Sequence, residues 1–156
     1  MEFTFRKLTQ EHAMEIADHW KYPGEYAFYD MTADLEDYEE FTNETLRNEN
    51  DHYEVFLGSE LVGFFCIVPE GENIEVGLGM RPDLCGKGRG RAFLAQILAF
   101  VDLNYRYEYC ILWVAAFNQR AIKVYHSCGF TDCETELRQT NGGEYNFLKL
   151  KKKRKK

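Results

Sequence analysis

The sequence predicts one mixed α/β (α+β) domain, a mainly antiparallel sheet of six to seven strands flanked by about four helices. Three observations predict it. Apolar and polar residues alternate with period two in several short runs, and other segments carry apolar residues at helical spacing. A strand, a Gly-rich turn, a helix and another strand follow one another between 73 and 117, which requires one parallel crossover. No internal repeat and no linker rich in Pro, Gly or Ser divides the chain, and 156 residues with 45% hydrophobic content suffice for one core.

In chain order, EFTFRKL (2–8) alternates and reads as a strand. QEHAMEIADHW (10–20) and TADLEDYEEFTNETLRN (32–48) read as helices, the second capped by Thr32. HYEVFLGSELVGFFCIV (52–68) reads as a hairpin turning at Gly58-Ser59, and NIEVGLGMR (73–81) as a strand. RGRAFLAQILAFVDL (89–103) places Phe93, Leu94, Ile97, Leu98 and Val101 on one helix face. YCILWVAAF (109–117) is a buried strand, NQRAIKVYHSC (118–128) a helix stopped by Gly129, and FTDCETEL with EYNFLKL a closing strand pair. The order is therefore β-α-α-β-β-β-α-β-α-β-β, with residues 1–150 forming the domain and 151–156 a basic, disordered tail.

Composition excludes several classes. No apolar run is long enough to span a bilayer and MEFTFRKL lacks the build of a signal peptide, so a cytoplasmic protein without membrane attachment is expected. The five cysteines form no CxxC pair and the four histidines show no metal-helix spacing, so neither a disulfide framework nor a metal site is expected. The net charge of −7 is uneven, because KLKKKRKK holds seven of the 19 Lys and Arg. A basic run after an acidic body with no other basic face reads as a solvated tail rather than a nucleic-acid contact. Nothing in the sequence decides for or against a homodimer.

PDLCGKGRGRAFL carries the chemistry. Gly86, Gly88 and Gly90 alternate and then open a helix, whose first N–H groups lack partners and attract an anion. Lys87, Arg89 and Arg91 add positive charge to the same turn. A Walker A loop fails because Gly88 follows the lysine, and a dinucleotide fingerprint fails because Arg91 stands where a third small residue belongs.

The spacing from Cys85 to Gly90 resembles the Q/R-x-x-G-x-G/A signature of the GNAT superfamily of acyl-CoA-dependent N-acyltransferases, with position 85 as its one mismatch. NIEVGLGMRPDLCGKGRGRAFLAQIL is similar to that family's central strand, pyrophosphate loop and helix. LWVAAFNQRAIKVYHSCGF is similar to its second block, and the element order matches the family fold over about residues 2–150. The resemblance implies acetyl-CoA as co-substrate, with the turn from Gly86 through Lys87, Gly88, Arg89 and Gly90 to Arg91 at its pyrophosphate. It also implies Leu78, Gly79 and Met80 against the pantetheine arm and Asn118 as a cofactor contact, a place where an N-cap also belongs. On the strand, Glu75, Gly77 and Gly79 share one side, and the glycines leave room there for a ligand.

Acyl transfer to an amine needs a neutral nucleophile. A lysine-like amine is neutral about once in 2,500 molecules at pH 7, equivalent to roughly 4.6 kcal/mol. Glu75 occupies the position where some family members carry a base, and Tyr125, seven residues after Asn118, matches the family's acid. Trp113 stands where other members place a further glutamate, which makes Glu75 the more necessary candidate. WKYPGEYAFYDM (20–31) lies where the family builds its acceptor site, and Tyr22, Tyr26, Tyr29 and Asp30 are the acceptor-binding candidates, by cation–π and charge contacts or as packing aromatics.

The resulting expectation is an N-acetyltransferase moving the acetyl group directly to a primary amine on a small molecule, peptide or protein. No Cys/His pair marks a covalent relay. The alternative is a non-catalytic acyl-CoA-binding module, one that could dock on nucleic acid through the basic tail KKKRKK.

Overall fold

The computed structural model describes residues 2–155. Among the described residues, seven strands form one sheet in the order β1-β2-β3-β4-β5-β7-β6. These are β1 (Phe3–Lys7), β2 (Asp51–Leu57), β3 (Glu60–Glu70), β4 (Asn73–Met80), β5 (Tyr109–Ala115), β6 (Thr131–Thr140) and β7 (Gly143–Lys153). Every neighbouring pair is antiparallel except β4 with β5. The five α-helices are α1 (Gln10–His19), α2 (Leu35–Thr42), α3 (Glu44–Arg47), α4 (Gly90–Asn104) and α5 (Gln119–Ser127). None is long and apolar enough to cross a membrane among the described residues.

The two sheet faces are covered differently. On one, α4 buries Phe93, Leu94, Ile97, Leu98 and Val101, the five residues its periodicity selects, against Phe65, Ile67, Val76, Leu112 and Leu150. Each such burial is worth about 1.5–3 kcal/mol. On the other, α1 and α2 pack Ala13, Ile16, Ala17, Trp20 and Phe41 around Phe64 of β3. Buried Glu54 of β2 fixes the start of α1, accepting from the Thr9 N–H (3.0 Å) and meeting His12 Nδ1 (2.8 Å) and the Arg6 guanidinium (3.2 Å). The chain therefore enters the segment after α1 from a held position.

Two expectations are corrected. The single helix over 32–48 is a short 3₁₀ turn at Met31–Ala33 followed by α2 and α3, and the cap is Asp34, not Thr32. Asp34 accepts from the N–H groups of Glu36 and Asp37, and Asn43 breaks the helix by accepting from the Leu46 N–H, local bonds that compete with a continuous helix. The basic tail begins as strand. Lys151 to Lys153 pair with Tyr109 to Ile111 of β5, Lys151 also pairs with Thr131 of β6, and the Lys151 ammonium lies 5.0 Å over the Tyr109 ring. Arg154 follows, its N–H donating to Glu108 and its guanidinium to the Asp102 carbonyl. Backbone pairing on both sides outweighs the charge of the side chains; Lys156 lies outside the described residues.

Candidate active site

The site begins where β4 and β5 part. Their parallel pairing covers only Ile74 with Cys110 and Glu75 with Ile111, after which the strands diverge. The Glu72 carbonyl accepts from Glu108 on the β5 side, and the Arg81 N–H donates to Val62 of β3. By alternation, Leu78 and Met80 turn their backbone groups toward the opening, while Gly79 turns its own toward β3. A cleft of about 490 Å³ fills the divergence, lined by Val76 to Met80 on one wall and by Leu112, Trp113 and Val114 on the other.

The glycine turn closes one end of the cleft. Gly86 and Gly88 hold φ of +74° and +75°, left-handed values that side chains adopt only at a cost. The turn delivers the chain into α4, whose N-cap, Arg89, makes no side-chain capping bond, so the first N–H groups of a 15-residue helix face the turn unspent. Gly86, Gly88, Gly90 and Arg91 line the cleft. Lys87 and Arg89 do not: Lys87 is exposed between the two left-handed glycines, and Arg89 stands at the N-cap of α4.

Cys85 lines the cleft too, but its thiol turns back on the carbonyls of Met80 and Arg81 at 3.6 Å each. Burial pushes that thiol up, with Arg120 pulling the other way and Asp83 adding to the rise. Arg120, in the first turn of α5, was not singled out by the sequence. A β-carbon built on Gly86 would stand 2.9 Å from its Nη1, and its guanidinium lies 4.4 Å from the centroid of the Tyr26 ring. The signal for it was available only by asking which cations two residues beyond Asn118 could reach the turn.

Asn118 is both cap and wall. Its Oδ1 accepts from the Ala121 N–H at 3.1 Å, and its amide donates to the Tyr29 hydroxyl at 3.2 Å. The same Tyr29 oxygen accepts from the Ala115 N–H at 3.2 Å. Tyr22, across the cleft, donates its hydroxyl to the Met80 carbonyl at 2.7 Å. The 3₁₀ segment Gly24–Tyr29 and its flank thus bridge both sides of the divergence, with Tyr22, Tyr26 and Tyr29 all on the cleft wall. Asp30 is not on it; its carboxylate accepts from the Tyr22 N–H at 2.8 Å and orders the segment.

Tyr125, on the inner face of α5, lines the same cleft. Burial pushes its hydroxyl well above the usual tyrosine value, and neighbouring Tyr29 adds to the rise, so it stays protonated at neutral pH. Glu75 does not line the cleft with it. It lies on the opposite sheet face behind Trp113, whose indole hydrogen-bonds to it, and Arg138 and Lys149 stack over that same indole. Burial raises the Glu75 carboxyl above the usual range, as does Glu70, while Arg138, Lys149 and the Trp113 bond restrain the rise. The room expected beside Gly77 and Gly79 is taken by β3: a β-carbon on Gly79 would fall 2.4 Å from the Phe64 ring, and one on Gly77 3.0 Å from Cys66 Sγ.

An uncapped helix start, two left-handed glycines, an adjacent guanidinium and a free strand edge fit a long ligand that is anionic at one end and amide-bearing along its length. A sequence model of the Acetyltransferase (GNAT) family matches residues 12–130. Comparison with curated protein sequences gives no significant match. Among solved structures, the chain is similar to a spermidine N-acetyltransferase from Vibrio cholerae in complex with CoA and spermine, with a TM-score of 0.76, 18% identity and coverage of 97% of this chain and 95% of that one. It is similar to the aminoglycoside acetyltransferase AAC(6')-Ib in complex with coenzyme A, with a TM-score of 0.75, 15% identity and coverage of 98% and 95%. A ribosomal-protein-S5-alanine acetyltransferase from Vibrio fischeri gives a TM-score of 0.70, 14% identity and coverage of 99% and 94%. At such identities the structures share the fold, and the family match joins it to the cleft: the chain belongs to the GNAT family of acetyltransferases, enzymes that take acetyl-CoA as co-substrate.

Proposed function

We propose that the chain transfers the acetyl group of acetyl-CoA directly to a primary amine, with Glu75 as base and Tyr125 as acid. The observation that carries this reading is the divergence of β4 from β5, which leaves the backbone of Leu78 and the Met80 N–H without a strand partner along a cleft lined by Tyr125. Gly86, Gly88, Gly90 and Arg91 would hold the pyrophosphate, Leu78 and the Met80 N–H the pantetheine arm, and Asn118 the arm's far side; Gly79, whose backbone groups face β3, would not pair with the arm.

Glu75 takes the proton the amine must lose, from behind Trp113 and so through water at the indole edge. Its raised carboxyl suits that task better than an ordinary glutamate would. As the nitrogen–carbon bond forms and the carbon–sulfur bond breaks, Tyr125 gives its proton to the departing sulfur and is reprotonated through water by the second proton that the nitrogen sheds as the amide forms. Direct transfer is supported at Cys85, whose thiol is pushed up and engaged with two carbonyls, opposite to what a nucleophilic thiolate requires.

The proteins similar in fold carry names that specify spermidine, aminoglycoside and protein-alanine acceptors, so all three amine classes belong in the test. The experiment is thiol release from acetyl-CoA with a polyamine, an aminoglycoside and an alanine-terminated peptide. Release accelerated by at least one amine is the expected result. Acetyl-CoA binding without acceleration across a broad amine panel would replace this reading with a non-catalytic acyl-CoA-binding module.

A further inference from the structure

We propose that Arg120 is the phosphate-binding cation of the Gly86–Arg91 turn, and that Tyr26 is the platform that aims it. This rests on acetyl-CoA as the ligand of the cleft. Position 85, where the turn's pattern calls for a Gln or Arg, holds a cysteine whose thiol is folded back on the carbonyls of Met80 and Arg81. The turn therefore has no long polar side chain of its own at its entrance.

Arg120 reaches that entrance from another element. Its Nη1 occupies the space that a β-carbon on Gly86 would crowd, and its guanidinium carbon lies 4.4 Å over the Tyr26 ring, a cation–π contact that holds the group beside the turn. Among the described residues it has no carboxylate within ion-pair distance and donates no hydrogen bond to protein. Arg120 is exposed, so its guanidinium is open to a ligand. A guanidinium there lies beside the positive end of α4, whose first N–H groups are also uncapped, with Val124 of α5 packing Gly90 at the helix start. Two groups of positive sign thus converge on one turn, where a doubly charged ligand can join them. A diphosphate does so, accepting from the backbone N–H groups on one side and from the guanidinium fork on the other.

Tyr26 gives the contact a second consequence. It belongs to the Gly24–Tyr29 segment that bridges the cleft, so ordering that segment also orders the cofactor's cation, and the coupling runs both ways.

The test compares titrations of acetyl-CoA and of S-acetylpantetheine, which lacks every phosphate. Arg120→Ala is expected to weaken acetyl-CoA about 10- to 50-fold, the range of a charge-assisted hydrogen bond, while leaving S-acetylpantetheine unchanged. Cys85→Arg added to Arg120→Ala is expected to restore most of the loss, and Tyr26→Leu to cause a smaller one confined to acetyl-CoA. Unchanged acetyl-CoA affinity in Arg120→Ala, or an equal loss for both ligands, would overturn the assignment of Arg120. A wild-type chain that binds neither ligand would overturn the acetyl-CoA reading itself, a result distinct from either.

Discussion

Glu75 and Tyr125 make opposite demands on their surroundings, and the structure meets each with burial. A base must be ionised to act, and burial works against ionisation, so activity should climb with pH through a midpoint above the usual carboxylate value of about 4.3. Glu75→Gln should lower kcat and erase that climb from the kcat profile. The same raised carboxyl favours the folded state at low pH, and this contribution is lost as pH rises through the folded pKa. Glu75→Gln should therefore melt no lower than wild type near neutral pH, separating a chemical loss from a structural one. An acid must instead hold its proton, which burial favours in a phenol; Tyr125→Phe should reduce kcat more than it raises the KM for acetyl-CoA, and normal turnover would remove the role. At this scale the sequence showed residue type and spacing but not facing. That Trp113 stands between Glu75 and the cleft, and that Phe64 fills the space beside Gly79, are contacts between strands which periodicity within one strand does not contain.

The turn before α4 shows what an element adds. Gly86→Ala and Gly88→Ala both force a β-carbon into the left-handed region at about 1–2 kcal/mol, but only the first also displaces Arg120. Gly86→Ala should therefore weaken acetyl-CoA by roughly tenfold more than Gly88→Ala in parallel titrations, given the worth of a charged hydrogen bond; equal losses would mean that backbone strain alone matters. The turn itself was legible because every feature of it is local: alternate glycines, interleaved cations, then helical spacing. Arg120 was not, because its importance comes from α5 crossing the start of α4. The 32–48 segment failed for a different reason. Apolar spacing ran through it unbroken, and two short side chains, Asp34 and Asn43, diverted the backbone bonds that spacing alone assigns to one helix.

Across the whole molecule, the strand order was within reach of the sequence up to the crossover, since hairpins join sequential strands and one parallel step was forced. Beyond it, β7 inserts between β5 and β6, and its lysines belong to the sheet. Composition misdirected the reading there, because a row of like charges usually means solvent, whereas Leu148 and Leu150 had already set a strand register for the lysines to continue. A chain truncated after Leu150 should lose about three backbone bonds to β5 and β6, near 1 kcal/mol each, and melt roughly 6–12 °C lower. An unchanged melting curve would show that the last pairs contribute nothing. The insertion also governs the order of events during synthesis. β6 is made before its neighbour in the sheet, and the edge of β5 away from the cleft stays bare until residues 143–153 have left the ribosome. A chain ending near residue 140 would carry its glycine turn and both cleft walls yet expose two unpaired strand edges, on β5 and β6, the form in which this protein would be most open to aggregation and in greatest need of a chaperone.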